Sequence, residues 1–160
     1  MRAIWILALL LGCSATPPAE VQFSTSDGGV VSAHLYGDGG RFLVLVHGGR
    51  FDKESWEDEA RTFADQGFRV LAIDMRGRGI SHGGPQEHAE REIHLDVLAA
   101  VNYAHESGAK SVSVIGASLG GWAAAQAAVE AEPGAIDRVV MLATGSPRIE
   151  DVIAFPTSRA

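Results

Sequence analysis

Apolar and polar residues alternate over residues 21–25, pause at Ser26-Asp27-Gly28-Gly29, and resume over residues 30–36. Alternation on both sides of a glycine-containing turn predicts an antiparallel hairpin. Downstream the pattern changes. Residues 42–46 are a continuous apolar run, the composition of a strand covered on both faces; residues 69–73 and 138–143 are further, mostly apolar runs, and residues 111–115 predict another strand. Between these runs the apolar positions fall at helical spacing. Trp56, Ala60, Phe63 and Ala64 form one stripe, closed by Gly67. Ile93, Val97, Val101 and Ala104 form a second, in a long helix that follows Gly83-Gly84-Pro85 and ends at Gly108. Residues 119–131 predict an alanine-rich third helix. Gly145-Ser146-Pro147 breaks the pattern, and residues 149–160 carry no periodic signal.

Strands that alternate with helices of ten or more residues imply right-handed crossovers and a mostly parallel sheet with helices on both faces, here preceded by an N-terminal antiparallel hairpin. In such α/β sheets ligands sit beyond the carboxyl ends of the strands. His47-Gly48-Gly49, Asp74 and Ser118 all fall at those ends. Gly116-Ala117-Ser118-Leu119-Gly120 has a strand directly before it and a helix directly after. That context predicts a sharp turn with the serine at its apex, glycines where side chains would clash, and helix N–H groups beside the hydroxyl. Gly79-Ile80-Ser81-His82-Gly83 matches the same G-x-S-x-G string, but lies five residues past its strand and runs into Gly84-Pro85. Ser81 is therefore read as a loop residue and Ser118 as a nucleophile.

A length of 160 residues suits one domain, with 46% hydrophobic and 21% charged residues. A net charge of −7 argues against a nucleic-acid surface. No histidine pair has metal-ligand spacing, and Gly77-Arg78-Gly79 lacks the spacing of a dinucleotide fingerprint, so neither metal nor cofactor is expected. The N-terminus is a separate matter. Met1-Arg2 precedes an apolar run of roughly ten residues, too short for a membrane-spanning helix of about 20. It closes on Leu10-Leu11-Gly12-Cys13, which resembles the lipobox of bacterial lipoproteins. The expectation is a signal peptide over residues 1–12, a lipidated tether over residues 13–20, and a folded domain over residues 21–160, which the resemblance given next makes a partial one. Cys13, the single cysteine, would anchor an exported lipoprotein to the outer membrane or cell surface; the alternative is a secreted or periplasmic protein cut near residues 15–19.

From about residue 21 to residue 143 the chain resembles the α/β-hydrolase superfamily. The resemblance rests on His47-Gly48-Gly49, on the run from Asp74 to Ser81, and on Gly116 to Gly120, in that order. It implies an α/β-hydrolase fold with Ser118 as nucleophile and the N–H groups of Gly49 and Leu119 as oxyanion hole. It also implies that His47 organises its loop and that Asp74 and Arg76 brace the floor of the site. In the family the acid follows the seventh strand, or sometimes the sixth, and the histidine follows the eighth. The signal here ends after the sixth strand, so a truncated form lacking the catalytic histidine is expected, with Glu150 or Asp151 as candidate acid. None of His34, His82, His88, His94 and His105 occupies the expected position of the base. The function implied is hydrolysis of an ester, thioester or related acyl bond in a small molecule. The alternative is a non-catalytic, lipid-anchored binding domain on the same scaffold, and a transacylase or haloperoxidase-like enzyme is a third reading. Oligomeric state is open.

Overall fold

In the computed structural model, which describes residues 17–143, the expected hairpin forms from β1 (Ala19–Ser24) and β2 (Val30–Tyr36). The first strand starts at Ala19, earlier than the alternation predicts, and Glu20 pairs with His34. The end of the expected tether thus belongs to the sheet. β2 pairs antiparallel with β4 (Phe68–Ile73). β4 pairs parallel with β3 (Arg41–Val46), β3 with β5 (Ser111–Ala117), and β5 with β6 (Arg138–Leu142). The order is β1-β2-β4-β3-β5-β6. Cys13, Glu150 and Asp151 lie outside the described residues, as do most of the predicted signal and tether.

The continuous apolar run of β3 is explained by cover on both sides. Phe42, Val44 and Val46 pack against α2 (His94–Glu106) and α3 (Leu119–Glu130). Leu43 and Leu45 point the other way, against Ala60 and Phe63 of α1 (Glu57–Asp65). Alternate residues thus feed opposite layers. The alanines of α3 fit where that helix lies close to β5 and α2: Ala123, Ala124, Ala127 and Ala128 are all buried in the larger core. No helix among the described residues is long and apolar enough to cross a membrane.

One expectation needs correction. The segment after Pro85 is not helical until His94; a short 3-10 turn, Ala89–Arg91, precedes α2. His88 has φ 65°, a left-handed conformation that an α-helix cannot pass through, so this histidine lies before the helix and not along it. β6, apolar in composition like an interior strand, is the outer strand among the described residues, with Val140 and Leu142 each 44% exposed.

Buried charge ties the loop after β4 to the rest of the molecule. Arg76 donates from Nη1 to Asp27 Oδ2 in the hairpin turn (2.8 Å) and from Nε to Asp96 Oδ1 in α2 (2.9 Å). Its backbone N–H also reaches Asp96, at 2.7 Å, and Nη1 reaches the Ala89 carbonyl. One guanidinium therefore joins the turn, the loop and the helix. Burial opposes ionisation of Asp27, yet hydrogen bonds from Arg76, Thr25 and the Gly84 N–H hold its carboxyl well below the ordinary range.

Removing the cation from this network leaves two carboxylates without their partner. Arg76→Met is expected to lower the unfolding free energy by about 3–5 kcal/mol, and adding Asp96→Asn should restore part of that loss. Urea titration of both variants measures it. A loss under about 1 kcal/mol for Arg76→Met, the scale of an exposed pair, would contradict the assignment.

Candidate active site

β5 ends and α3 begins on either side of Ser118, whose backbone sits at φ 50° and ψ −113°. Such a conformation costs a non-glycine residue on the order of 1–3 kcal/mol and persists only where its surroundings impose it. Here the surroundings are backbone. A Cβ added to Gly116 would overlap the Gly120 carbonyl and lie 2.7 Å from Gly121 Cα. One added to Gly120 would lie 2.5 Å from the Val46 carbonyl oxygen and overlap that of His47. Both elbow glycines are thus demanded by close approach and not by their own dihedrals. The Ser118 N–H donates to the Leu142 carbonyl at 2.8 Å, which continues the β5–β6 pairing to the apex. Ser118 itself is exposed.

The loop leaving β3 packs directly on this turn. A Cβ on Gly49 would lie 3.0 Å from Leu119 Cδ2, so the two residues expected to supply the oxyanion donors are neighbours. His47 holds that loop. It is 1% exposed, with Nδ1 2.8 Å from the Gly48 carbonyl, while Nε2 accepts the Met75 N–H at 3.1 Å. This pairing puts the proton on Nδ1 and the lone pair on Nε2, a neutral ring. Burial pushes its pKa below the ordinary 6.5, with the Gly48 hydrogen bond and the Asp74 carboxylate pulling the other way. Because the peptide is trans, a Gly48 carbonyl turned towards the imidazole turns the Gly49 N–H away from it.

Asp74 and Arg76 lie beneath this arrangement, as bracing residues would. Asp74 accepts the Lys53 backbone N–H (2.8 Å) and the Lys53 ammonium (2.7 Å), pinning the chain beyond the His47 loop to the end of β4. Arg78 reaches over to donate to the Gly49 carbonyl. Lys53, Arg78, Asp27 and Asp96 were not singled out from the sequence. Ion partners 20 to 49 residues apart leave no local pattern, although Arg78 does lie within the run that suggested the site. Ser81 is buried, and its Oγ accepts the Ser32 N–H at 2.9 Å; it locks the loop to β2.

A cleft of about 240 Å³ opens beside the elbow, lined by His47, Gly49, Met75, Arg78, Ile93 and Leu119 among others. The other histidines have partners of their own. His82 Nδ1 lies 2.9 Å from the Gly83 carbonyl, His94 Nε2 2.9 Å from Glu130, and His105 Nε2 2.8 Å from the Ala135 carbonyl. His34 stands edge-on to Tyr36, and His88 lies 3.4 Å from Glu87. Among the described residues no cluster of three or more histidine, cysteine or acidic side chains could hold a metal ion. The candidate acids Glu150 and Asp151 fall outside them.

Residues 43–159 match the alpha/beta hydrolase family. The chain is 30% identical over 125 residues to a non-heme chloroperoxidase of Streptomyces lividans, covering 78% of this chain and 44% of that protein. It is 31% identical over 129 residues to the dihydrolipoyllysine-residue acetyltransferase component of an acetoin cleaving system of Cupriavidus necator, covering 81% and 32%. The structure of the alpha/beta hydrolase GrgF from Penicillium sp. sh18 aligns with a TM-score of 0.70 and 26% identity, over 81% of this chain and 46% of that one. The chain thus spans less than half the length of these relatives.

The tautomer and charge of His47 can be read directly by nitrogen NMR of its ring. Nδ1 is expected to carry the proton, with a titration midpoint below 6.5. Because the value is depressed in the folded state, stability from the neutral ring is complete above pH 6.5 and lost as pH falls below it. A proton on Nε2, or a midpoint at or above 6.5, would contradict the role given to this residue.

Proposed function

The chain belongs to the alpha/beta hydrolase family, and on that premise we propose that it is a serine hydrolase cleaving an ester, thioester or related acyl bond through Ser118. The observation that carries this reading is the strained φ of 50° at an exposed serine between β5 and α3. A protein does not hold a non-glycine residue in that region without a compensating gain, and such residues cluster at functional sites.

The chemistry follows from the neighbours. Ser118 Oγ attacks the carbonyl carbon as its proton passes to a base, and the carbonyl oxygen takes up the negative charge. Leu119 opens α3, so its N–H belongs to the first helical turn, where donors lack intrahelical partners. The Gly49 N–H, turned away from His47, is the second donor. Collapse of the intermediate expels the alcohol or thiol, which takes the proton from the base, and leaves an ester on Ser118. Water then hydrolyses that ester by the same steps in reverse order. The base is assigned to none of the chain's six histidines. His47 in particular has one ring nitrogen bonded to Gly48 and the other to Met75. In the whole protein a histidine and a carboxylate outside residues 17–143 would complete the site, with Glu150 and Asp151 as candidates for the acid.

Release of 4-nitrophenol from 4-nitrophenyl butyrate by the whole protein tests this. Ser118→Ala should reduce kcat/KM by at least about a thousandfold, the scale seen when a nucleophile is removed. Ser81→Ala, the serine of the second G-x-S-x-G string, should stay within about threefold, since that hydroxyl only anchors a loop. Equal losses in the two variants, or none in either, would sink the assignment.

A further inference from the structure

Three cations gather under and beside the cleft, and they differ in how their charge is met. The Lys53 ammonium sits 2.7 Å from Asp74 and 3.4 Å from Glu54. Arg76 is held between Asp27 and Asp96, each at 2.8 Å. Arg78 is held by neither kind of partner. Its guanidinium donates to the Gly49 carbonyl and lines the cleft, and it forms no ion pair with any carboxylate among the described residues. A guanidinium has five N–H donors, so the bond to Gly49 leaves most of them for something else.

The rest of the lining is mixed, with His47 and Arg76, each held by partners of its own, beside three apolar side chains. Met75, Ile93 and Leu119 are its apolar lining residues, and Phe51 (60% exposed) and Ile80 (58% exposed) stand on the loops that flank it. Phe51 lies against Gly48, its Cδ2 being 3.2 Å from where a Cβ on that glycine would stand. An occupant that suits both features has a short hydrocarbon segment and one anionic end. The anchor point also sets a length. Arg78 grips the carbonyl of the very residue whose N–H is assigned to the oxyanion hole, so an anion bound there lies only a few bonds from the reacting carbonyl.

We propose that Arg78 is a substrate-binding residue that selects acyl compounds bearing a carboxylate a few carbons from the scissile carbonyl, half-esters of short dicarboxylic acids being the simplest. A planar guanidinium takes a carboxylate through two parallel hydrogen bonds, which a lysine at this point would not reproduce. The assignment rests on Ser118 being the nucleophile, but the anion site itself can be tested apart from it.

Two measurements on the whole protein decide the matter. The first compares kcat/KM for mono-4-nitrophenyl glutarate with that for its neutral carboxamide analogue. The wild type should favour the anionic ester, chiefly through KM, and the preference should weaken in high salt. Arg78→Gln keeps an N–H for the Gly49 carbonyl but loses the charge. It should lower the preference roughly ten- to hundredfold, the worth of a hydrogen bond to a charged group. The second is calorimetric titration of the Ser118→Ala protein, with and without Arg78→Gln, using glutarate and then glutaramide. Glutarate should bind at least tenfold more tightly than glutaramide, and Arg78→Gln should abolish that difference. No preference for the anion in the wild type, or a preference that survives Arg78→Gln, overturns the proposal. Absence of turnover with both esters would count against the hydrolase reading, and the titration would still decide for or against Arg78.

Discussion

Backbone packed against backbone at one point is the constraint on which the rest of this structure depends. The exit of β3, the exit of β5 and the first turn of α3 meet with no room for a side chain at Gly116 or Gly120. That contact forces Ser118 out of ordinary dihedral space and brings Leu119 beside Gly49. The elements it joins hold the strain. β5 is paired on both edges, and α3 buries the methyl groups of Ala123, Ala124, Ala125, Ala127 and Ala128. At roughly 0.8 kcal/mol for each buried carbon, that burial is enough to outweigh a local cost of about 1–3 kcal/mol.

Electrostatics complete what packing begins. The chain places cations inside the fold where each has a task. Lys53 joins the segment beyond the His47 loop to the end of β4 through Asp74, and Arg76 joins the hairpin turn to α2. Both are buried and matched by carboxylates, as a charge removed from water must be. His47 solves a related problem without charge, by spending both ring nitrogens on backbone groups. Arg78, two residues from Arg76 on the same loop, is the contrast: half-buried, bonded to a carbonyl, and turned to the cleft.

Much of this was legible in the sequence, for reasons of range. The hairpin and parallel strands follow from period-two alternation and from apolar runs, which are local. The different structural settings of Ser118 and Ser81 were legible too: one lies between a strand and a helix, and the other is buried in a loop. The approach of Gly49 to Leu119 could be expected only from the resemblance, since 70 residues separate them in a chain of 160. Tertiary charge pairing was not legible. Arg76 finds one partner 49 residues upstream and another 20 residues downstream, and nothing local marks either. The start of α2 was misplaced because His88 takes a left-handed conformation that its residue type does not announce.

The central claim is that the strained elbow makes one particular serine a nucleophile. A fluorophosphonate probe tests this through a covalent bond, without requiring that a natural substrate be known. Peptide mapping by mass spectrometry after labelling of the whole, folded protein should place a single adduct on Ser118, lost on heat denaturation and in Ser118→Ala. A folded protein that takes up no probe, or one labelled at Ser81 or elsewhere in preference to Ser118, would contradict the account.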